Sequence, residues 1–339
     1  MFMSLWNDPE LRNIFLKRTP LIDVRSPGEF LEGSIPFSQN LPIMNDEERV
    51  LIGTCYKEHG QAAAIKLGHE LVSGAIKEER IELWRKYIRE NPETEVFCFR
   101  GGLRSQITCE WIGMNKKPIQ GGYKRLRRFF LSWLDEAPLP DLIRIGGPTG
   151  SRKTDFIQRF ENIDIEKLAN HRGSAFGNLG PQPSQITFEN NFALELMKFE
   201  NQKFVVEDES ATLGKIAVPR RFFHHMRNSP MVVLEVPLEK RVENIFELYV
   251  KGSREVFFLS SLEKIKKSLG GVNYERIKAE MKEAFSSVEE LSNHSGWITS
   301  LLKDYYDPIY LRDINRQGEK ILLRGPEEVL AEFLRSRKV

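Results

Sequence analysis

Two stretches of this chain run an apolar segment straight into a glycine-rich turn and then into a helical pattern: "VFCFRGGLRS" (96–105) and "LIRIGGPTGSRKTDFIQRF" (142–160). A strand, a tight turn and a helix in that order are the opening of a parallel unit, because a parallel strand needs a long crossover before its neighbour. Further strand-like runs at 20–25, 204–208, 231–236 and 320–325 alternate with helical periodicity over 61–90, 184–200, 238–251 and 273–291, so the fold class expected is α/β with parallel sheets covered on both faces. In such sheets ligands bind at the carboxyl edge of the strands, which is where both glycine turns fall.

The segment "LDEAPLPDL" (134–142) sets two prolines and three acids between a basic amphipathic helix and a fresh strand. It predicts a boundary between a domain over 1–138 and a second over 139–339, with 253–315 a helical insertion in the second. A chain of 339 residues is long enough for two cores. No stretch approaches the apolar length of a membrane span, and Asp8, Glu10 and Arg12 interrupt the N-terminus before a signal-type core forms. The expectation is a cytoplasmic protein without a membrane partner. Three cysteines, Cys55, Cys98 and Cys109, form no even disulfide set and no CxxC zinc pair, so thiols and no metal centre built on cysteine are expected.

In the first turn an apolar strand delivers Cys98 to the sheet edge, and the next helix begins about four residues later. Gly101 and Gly102 permit backbone conformations in which successive N–H groups curl toward the sulfur. Those donors, the helix N-terminus, Arg100 and Arg104 all favour thiolate, and they would equally hold an oxyanion. With Ser105, the spacing is Cys-x5-Arg-Ser, the loop of cysteine-dependent phosphatases, and spacing alone does not choose between phosphate and sulfur-carrier chemistry. Cys109 and Cys55 read as packing residues.

The second turn matches a P-loop from Gly147 through Gly150 and Ser151 to Lys153 and Thr154, except that Arg152 stands in place of the second motif glycine. The expected role is phosphate binding by backbone N–H groups and Lys153, with Thr154 available to Mg²⁺. A β-carbon at Arg152 penalises positive φ there. The strand "FVVED" ends in Glu207 and Asp208, candidates for organising a metal through water. "NHRGSAFGNLG" (170–180), with His171, Arg172, Gly173 and Ser174, reads as a substrate loop. From Trp111 to Leu134 there is no acidic residue, and Lys124, Arg125, Arg127 and Arg128 lie among aromatics that helical spacing turns to the core. Contact with a phosphate backbone suits this stretch, and RNA better than a small metabolite.

Motifs longer than these spacings carry a resemblance. "LIDVRSPGEFLEGSIPFSQNLP" (21–42) resembles the opening of rhodanese domains, and "QGGYKRLRRFF" (120–130) their closing turn and helix, over roughly 12–137. Ser34 stands where many rhodaneses have histidine, and Arg128 where tryptophan is frequent. The resemblance implies that Cys98 carries sulfur or selenium. With "LPIMNDEERVLIGTCYKEHGQAAAIKLGHELVSG" (41–74), "NHRGSAFG" and "EDES" (207–210), nearly the whole chain resembles bacterial tRNA 2-selenouridine synthases. That resemblance implies a two-step enzyme acting on tRNA with a wobble 2-thiouridine. Geranyl diphosphate first alkylates the sulfur, and selenium from selenophosphate then displaces the S-geranyl group. It implies no tightly bound cofactor, with Mg²⁺ as a candidate ion and a selenophosphate-supplying enzyme as a candidate partner. Two other readings stay open: a Cys-x5-Arg phosphatase fused to an NTPase, and a non-catalytic tRNA-binding protein with a decayed P-loop.

Overall fold

The computed structural model describes residues 4–339. The chain forms two compact units, one of Met1–Pro138 with Pro183–Lys198, the other of Leu139–Gln182 with Phe199–Val339. The second unit is therefore not the continuous 139–339 run expected from the sequence. Residues 183–198 depart because the helix Gln185–Lys198 buries Phe188, Phe192 and Leu196 within the first unit. There it packs on the helix Gly122–Asp135. Its Glu189 and Asn190 accept hydrogen bonds from the Arg127 guanidinium.

In the first unit, β1 (Leu21–Asp23) lies between β2 (Ser38–Asn40) and β3 (Glu95–Phe97), all parallel, with Leu21 opposite both Ser38 and Glu95. Ile22, Val24, Val96 and Cys98 share a core with Ile81 and Trp84 of the helix Gly74–Glu90. The basic helix Gly122–Asp135 buries Tyr123, Leu126, Phe129, Phe130 and Trp133, the i, i+3, i+4, i+7 stripe of an amphipathic helix. Phe15 stacks on Phe129 at 5.6 Å and packs on Phe130 at 4.5 Å. A long helix over Asp46–Leu71 opens with a reciprocal cap between Asn45 and Glu48 and is broken at Gly60, where φ is +80°.

In the second unit the sheet contains β4 (Leu142–Gly146), β5 (Asn162–Ile163), β6 (Phe204–Glu207), β9 (Met231–Leu234) and β10 (Ile321–Gly325), in the order β10-β9-β4-β6-β5, with all pairings parallel. A two-stranded hairpin, β7 (Thr212–Leu213) and β8 (Ile216–Ala217), follows β6. Strands β4, β6 and β9 are buried along their whole length, as covered parallel strands must be. The chain fills the β6 side of β4 first and then returns to the β9 side, so β4 sits at the reversal of strand order, where its carboxyl end opens a crevice. Helices Glu255–Leu269, Gly271–Phe285, Leu291–Leu301 and Asp307–Asn315 form the helical insertion. Its apolar core of Phe258, Leu262, Tyr274, Ile277 and Trp297 joins Phe176 and Phe246.

Candidate functional site

Cys98 follows β3 and is 3% exposed. The Ser105 hydroxyl donates toward the sulfur at 3.2 Å and also lies 3.0 Å from the Gly102 carbonyl. The helix Leu103–Ile112 starts beside it, and the thiol itself points to the Gly102 carbonyl at 3.8 Å. The fit depends on two glycines meeting backbone to backbone. Gly101 has φ +66° and Gly122 has φ +52°, and a β-carbon on Gly122 would come within 2.2 Å of the Cys98 carbonyl oxygen. Tyr123 N–H and Lys124 N–H donate to the carbonyls of Cys98 and Phe99. The Gly-Gly turn is thus the clamp that holds the cysteine loop.

Arg104 is turned into a bidentate pair with Glu29, at 2.6 and 3.2 Å, and Arg49 reaches the same carboxylate at 3.3 Å. Burial alone would raise the Glu29 carboxyl, but the Arg104 hydrogen bonds and charge outweigh it and hold Glu29 below its usual range. Arg100 is exposed. The Asp-Val-Arg motif is structural: Arg25 pairs with buried Asp23, donates to the carbonyls of Glu29 and Gly33, and lies 3.7 Å from the Tyr123 ring centroid. Cys109 is buried, and burial pushes its thiol up to about 11, which suits a packing residue rather than a nucleophile.

In the second unit Gly147, Gly150 and Ser151 form the turn after β4, with Ser151 Oγ donating to the Pro148 carbonyl at 2.7 Å. Arg152 adopts φ +57°, ψ +41°, so the left-handed geometry of the missing glycine is kept by a residue with a β-carbon. That costs about 1–2 kcal/mol. Lys153 Nζ folds back to the Gly147 carbonyl at 3.1 Å, over the turn where a phosphate would lie.

Beside Thr154 stand three carboxylates, Glu166, Glu207 and Glu209, whose oxygens lie within 4.8 Å of one another. Thr154 Oγ1 is 3.5 Å from Glu166. Burial, followed by the neighbouring carboxylates, pushes Glu207 to about 7 and Glu209 to about 8. Glu207 Oε1 is buried without a hydrogen-bond partner. An orphaned carboxylate oxygen between two other acids fits a hard divalent cation, which takes oxygen ligands. Asp208 is not part of this group: the strand pleat turns it away, and it accepts from Arg144 at 2.8 Å and Arg227 at 2.9 Å. Arg144 is fully buried in β4, a charged residue inside an apolar-looking run.

The loop at 171–178 closes on this centre. Gly173 N–H donates to Glu166, and a β-carbon at Gly173 would lie 2.4 Å from Glu209 Oε2. Arg172 covers the Tyr249 ring at 4.6 Å, Ser174 Oγ accepts from Phe176 N–H, and burial lowers the His171 imidazole. Sequence reasoning missed Glu29, Glu166 and Glu209. For Glu209 a signal existed, since residues two apart at a strand end share a face. Glu29 and Glu166 lie far from their partners in sequence.

The expected cationic face of the basic helix is narrower in the structure. Arg125 pairs with Asp8 at 2.6 Å and Glu10 at 2.7 Å, and Arg127 with Glu189. Lys124 and Arg128 remain exposed, one helical turn apart. The acids that neutralise Arg125 and Arg127 come from distant segments, which a charge count along 111–134 cannot register.

The family model described as tRNA 2-selenouridine synthase AAA domain matches residues 140–339. Among curated relatives, the tRNA 2-selenouridine synthase of Nitrosomonas europaea is 41% identical, with 97% of this chain and 98% of that protein aligned. The tRNA 2-selenouridine synthase of Marinobacter nauticus is 42% identical over 96% of each. That of Bdellovibrio bacteriovorus is 39% identical over 98% of this chain and all of its own length.

Proposed function

The chain belongs to the tRNA 2-selenouridine synthase family, and from that membership we propose that it is a tRNA-modifying enzyme that installs selenium at the wobble 2-thiouridine in two steps. In the first, the tRNA sulfur attacks the allylic carbon of geranyl diphosphate, a C–S bond forms and diphosphate leaves. In the second, a C–Se bond forms at the pyrimidine carbon and geranylthiol leaves. Selenium comes from selenophosphate, whose P–Se bond is cleaved to give phosphate.

The observation that carries this reading is the pairing, in one chain of this family, of a thiol loop and a phosphate loop. Cys98, held against Ser105 in a turn edged by Arg104, is the selenium-handling group, as the rhodanese resemblance of the first unit implies. Lys153 and the backbone N–H groups of 147–152 hold the diphosphate. Mg²⁺, held by Glu166, Glu207 and Glu209 beside Thr154, would neutralise charge on the departing diphosphate. Lys124 and Arg128 contribute phosphate-backbone contacts to tRNA. A tRNA carrying 2-thiouridine, incubated with the protein, geranyl diphosphate and selenophosphate, should yield S-geranyl-2-thiouridine and then 2-selenouridine on nucleoside analysis. Finding neither product sinks the reading.

A further inference from the structure

In the first unit the helix that opens at the cysteine turn forms one wall of a cavity of about 530 Å³, within the range of small-ligand sites. Leu103, Ile107 and Trp111 come from that helix, and Ile52, Ala64 and Ile65 from the long broken helix opposite. The lining is mostly hydrocarbon. Its charged members, Glu29, Arg49 and Arg104, are one ion-paired group, and Arg104 stands in the first turn of the helix that follows the Cys98 turn. An open pocket of this size with a mostly apolar lining is a place for an apolar ligand group. The cavity shares the helix Leu103–Ile112 with the Cys98 turn, so an apolar chain held there can belong to a molecule whose other end lies at that turn.

We propose that this cavity receives the ten-carbon chain of S-geranyl-2-thiouridine during the selenium step, with the reacting pyrimidine carbon at the cysteine turn; the proposal rests on the function given above. The selenium of selenophosphate supplies the electron pair of the new C–Se bond, and water cleaves its P–Se bond, so that the phosphoryl group leaves as phosphate. The C–S bond breaks, and its electron pair leaves with the geranylthiolate, which takes a proton from water. Holding the chain makes the step select tRNA that has already been geranylated, because 2-thiouridine without the chain forgoes the apolar contact.

Gly53 lines the cavity on the long helix, and a β-carbon there meets nothing within 4 Å. Gly53→Phe therefore fills the space without a backbone clash, and leaving glycine favours the helix. Two measurements use the full-length protein: binding of anticodon stem-loops bearing S-geranyl- or S-methyl-2-thiouridine, and single-turnover selenation of both. Wild type should prefer the geranyl stem-loop by about tenfold or more. Gly53→Phe should abolish that preference and slow only the geranyl substrate. An unchanged preference in Gly53→Phe, or equal slowing of both substrates, overturns the proposal. So does loss of geranyl transfer with selenation intact, which would place the donor's chain in the cavity instead. A wild type that prefers the geranyl stem-loop but makes no 2-selenouridine upholds the cavity and sinks the two-step function.

Discussion

The two glycine turns share a plan, strand to turn to helix, and differ in what each gathers around itself. The turn at Cys98 sets the sulfur against the Ser105 hydroxyl, and the Arg104 that follows it is bound, with Arg49, to the Glu29 carboxylate. The turn at Lys153 instead has three carboxylates beside one lysine and one threonine. In the first those charges are paired off; in the second Glu207 Oε1 is left without a partner among carboxylates, which fits a cation. They also differ in how left-handed backbone is supplied. In the first it falls on glycines that touch backbone, as at Gly122, and in the second on Gly150 and also on Arg152, whose side chain reaches Asp155 at 3.3 Å. In both turns a β-carbon on a glycine would meet backbone, as at Gly150, 2.9 Å from the Arg241 carbonyl oxygen, and Arg152 is the position where a β-carbon is accommodated at a conformational cost.

The largest effect should come from Cys98→Ser. The hydroxyl keeps the size of the side chain but stays protonated near neutral pH. Selenouridine formation should fall to background while S-geranyl-2-thiouridine accumulates, and Cys109→Ser should perform both steps. Retained selenation in Cys98→Ser, followed by nucleoside analysis, would break the division of labour between the turns.

Next in size is Lys153→Ala, expected to slow geranyl transfer about a hundredfold while leaving selenation of already geranylated tRNA unchanged. Equal loss in both steps would mean that the phosphate turn serves both. Glu207→Gln should weaken the Mg²⁺ dependence of the same transfer, read from titrations of rate against Mg²⁺, with Asp208→Asn as a contrast because Asp208 faces Arg144 and Arg227.

Gly122→Ala tests the backbone contact. The new methyl would lie 2.2 Å from the Cys98 carbonyl in a left-handed conformation, and a loss of about 3 kcal/mol is expected from denaturant unfolding of the full chain. Arg152→Gly is the smallest effect: relief of the left-handed strain, offset by the entropy of glycine in the unfolded chain, leaves a gain of about 0.5 kcal/mol. A large destabilisation there would show that the arginine side chain supports its turn as Gly122 supports the other.

Much of this was readable residue by residue. The runs at 20–25, 95–99, 142–147, 204–208, 231–236 and 320–325 all contain strands, because buried parallel strands announce themselves as short apolar segments between turn signals. Short, largely polar strands such as Ser38–Asn40 and Asn162–Ile163 carry little of that pattern. The penalty at Arg152 was also legible, since the motif demands positive φ there and the residue is not glycine. The basic helix was legible as amphipathic but not as a charge distribution, because Asp8, Glu10 and Glu189 reach Arg125 and Arg127 from elsewhere in the chain.

Sequence by itself determined the α/β class and both glycine turns, and it placed Cys98 and Lys153 in those turns, because each rests on residues adjacent along the chain, where spacing and local backbone geometry decide. Only the tertiary structure decided that Glu29 neutralises Arg104, that Glu166 and Glu209 join Glu207 while Asp208 turns away, and that residues 183–198 belong to the first unit. Those outcomes depend on which side chains burial brings together across tens of residues. Charge pairing, carboxylate clustering and helix docking are set by distance in space, and distance along the chain does not encode it.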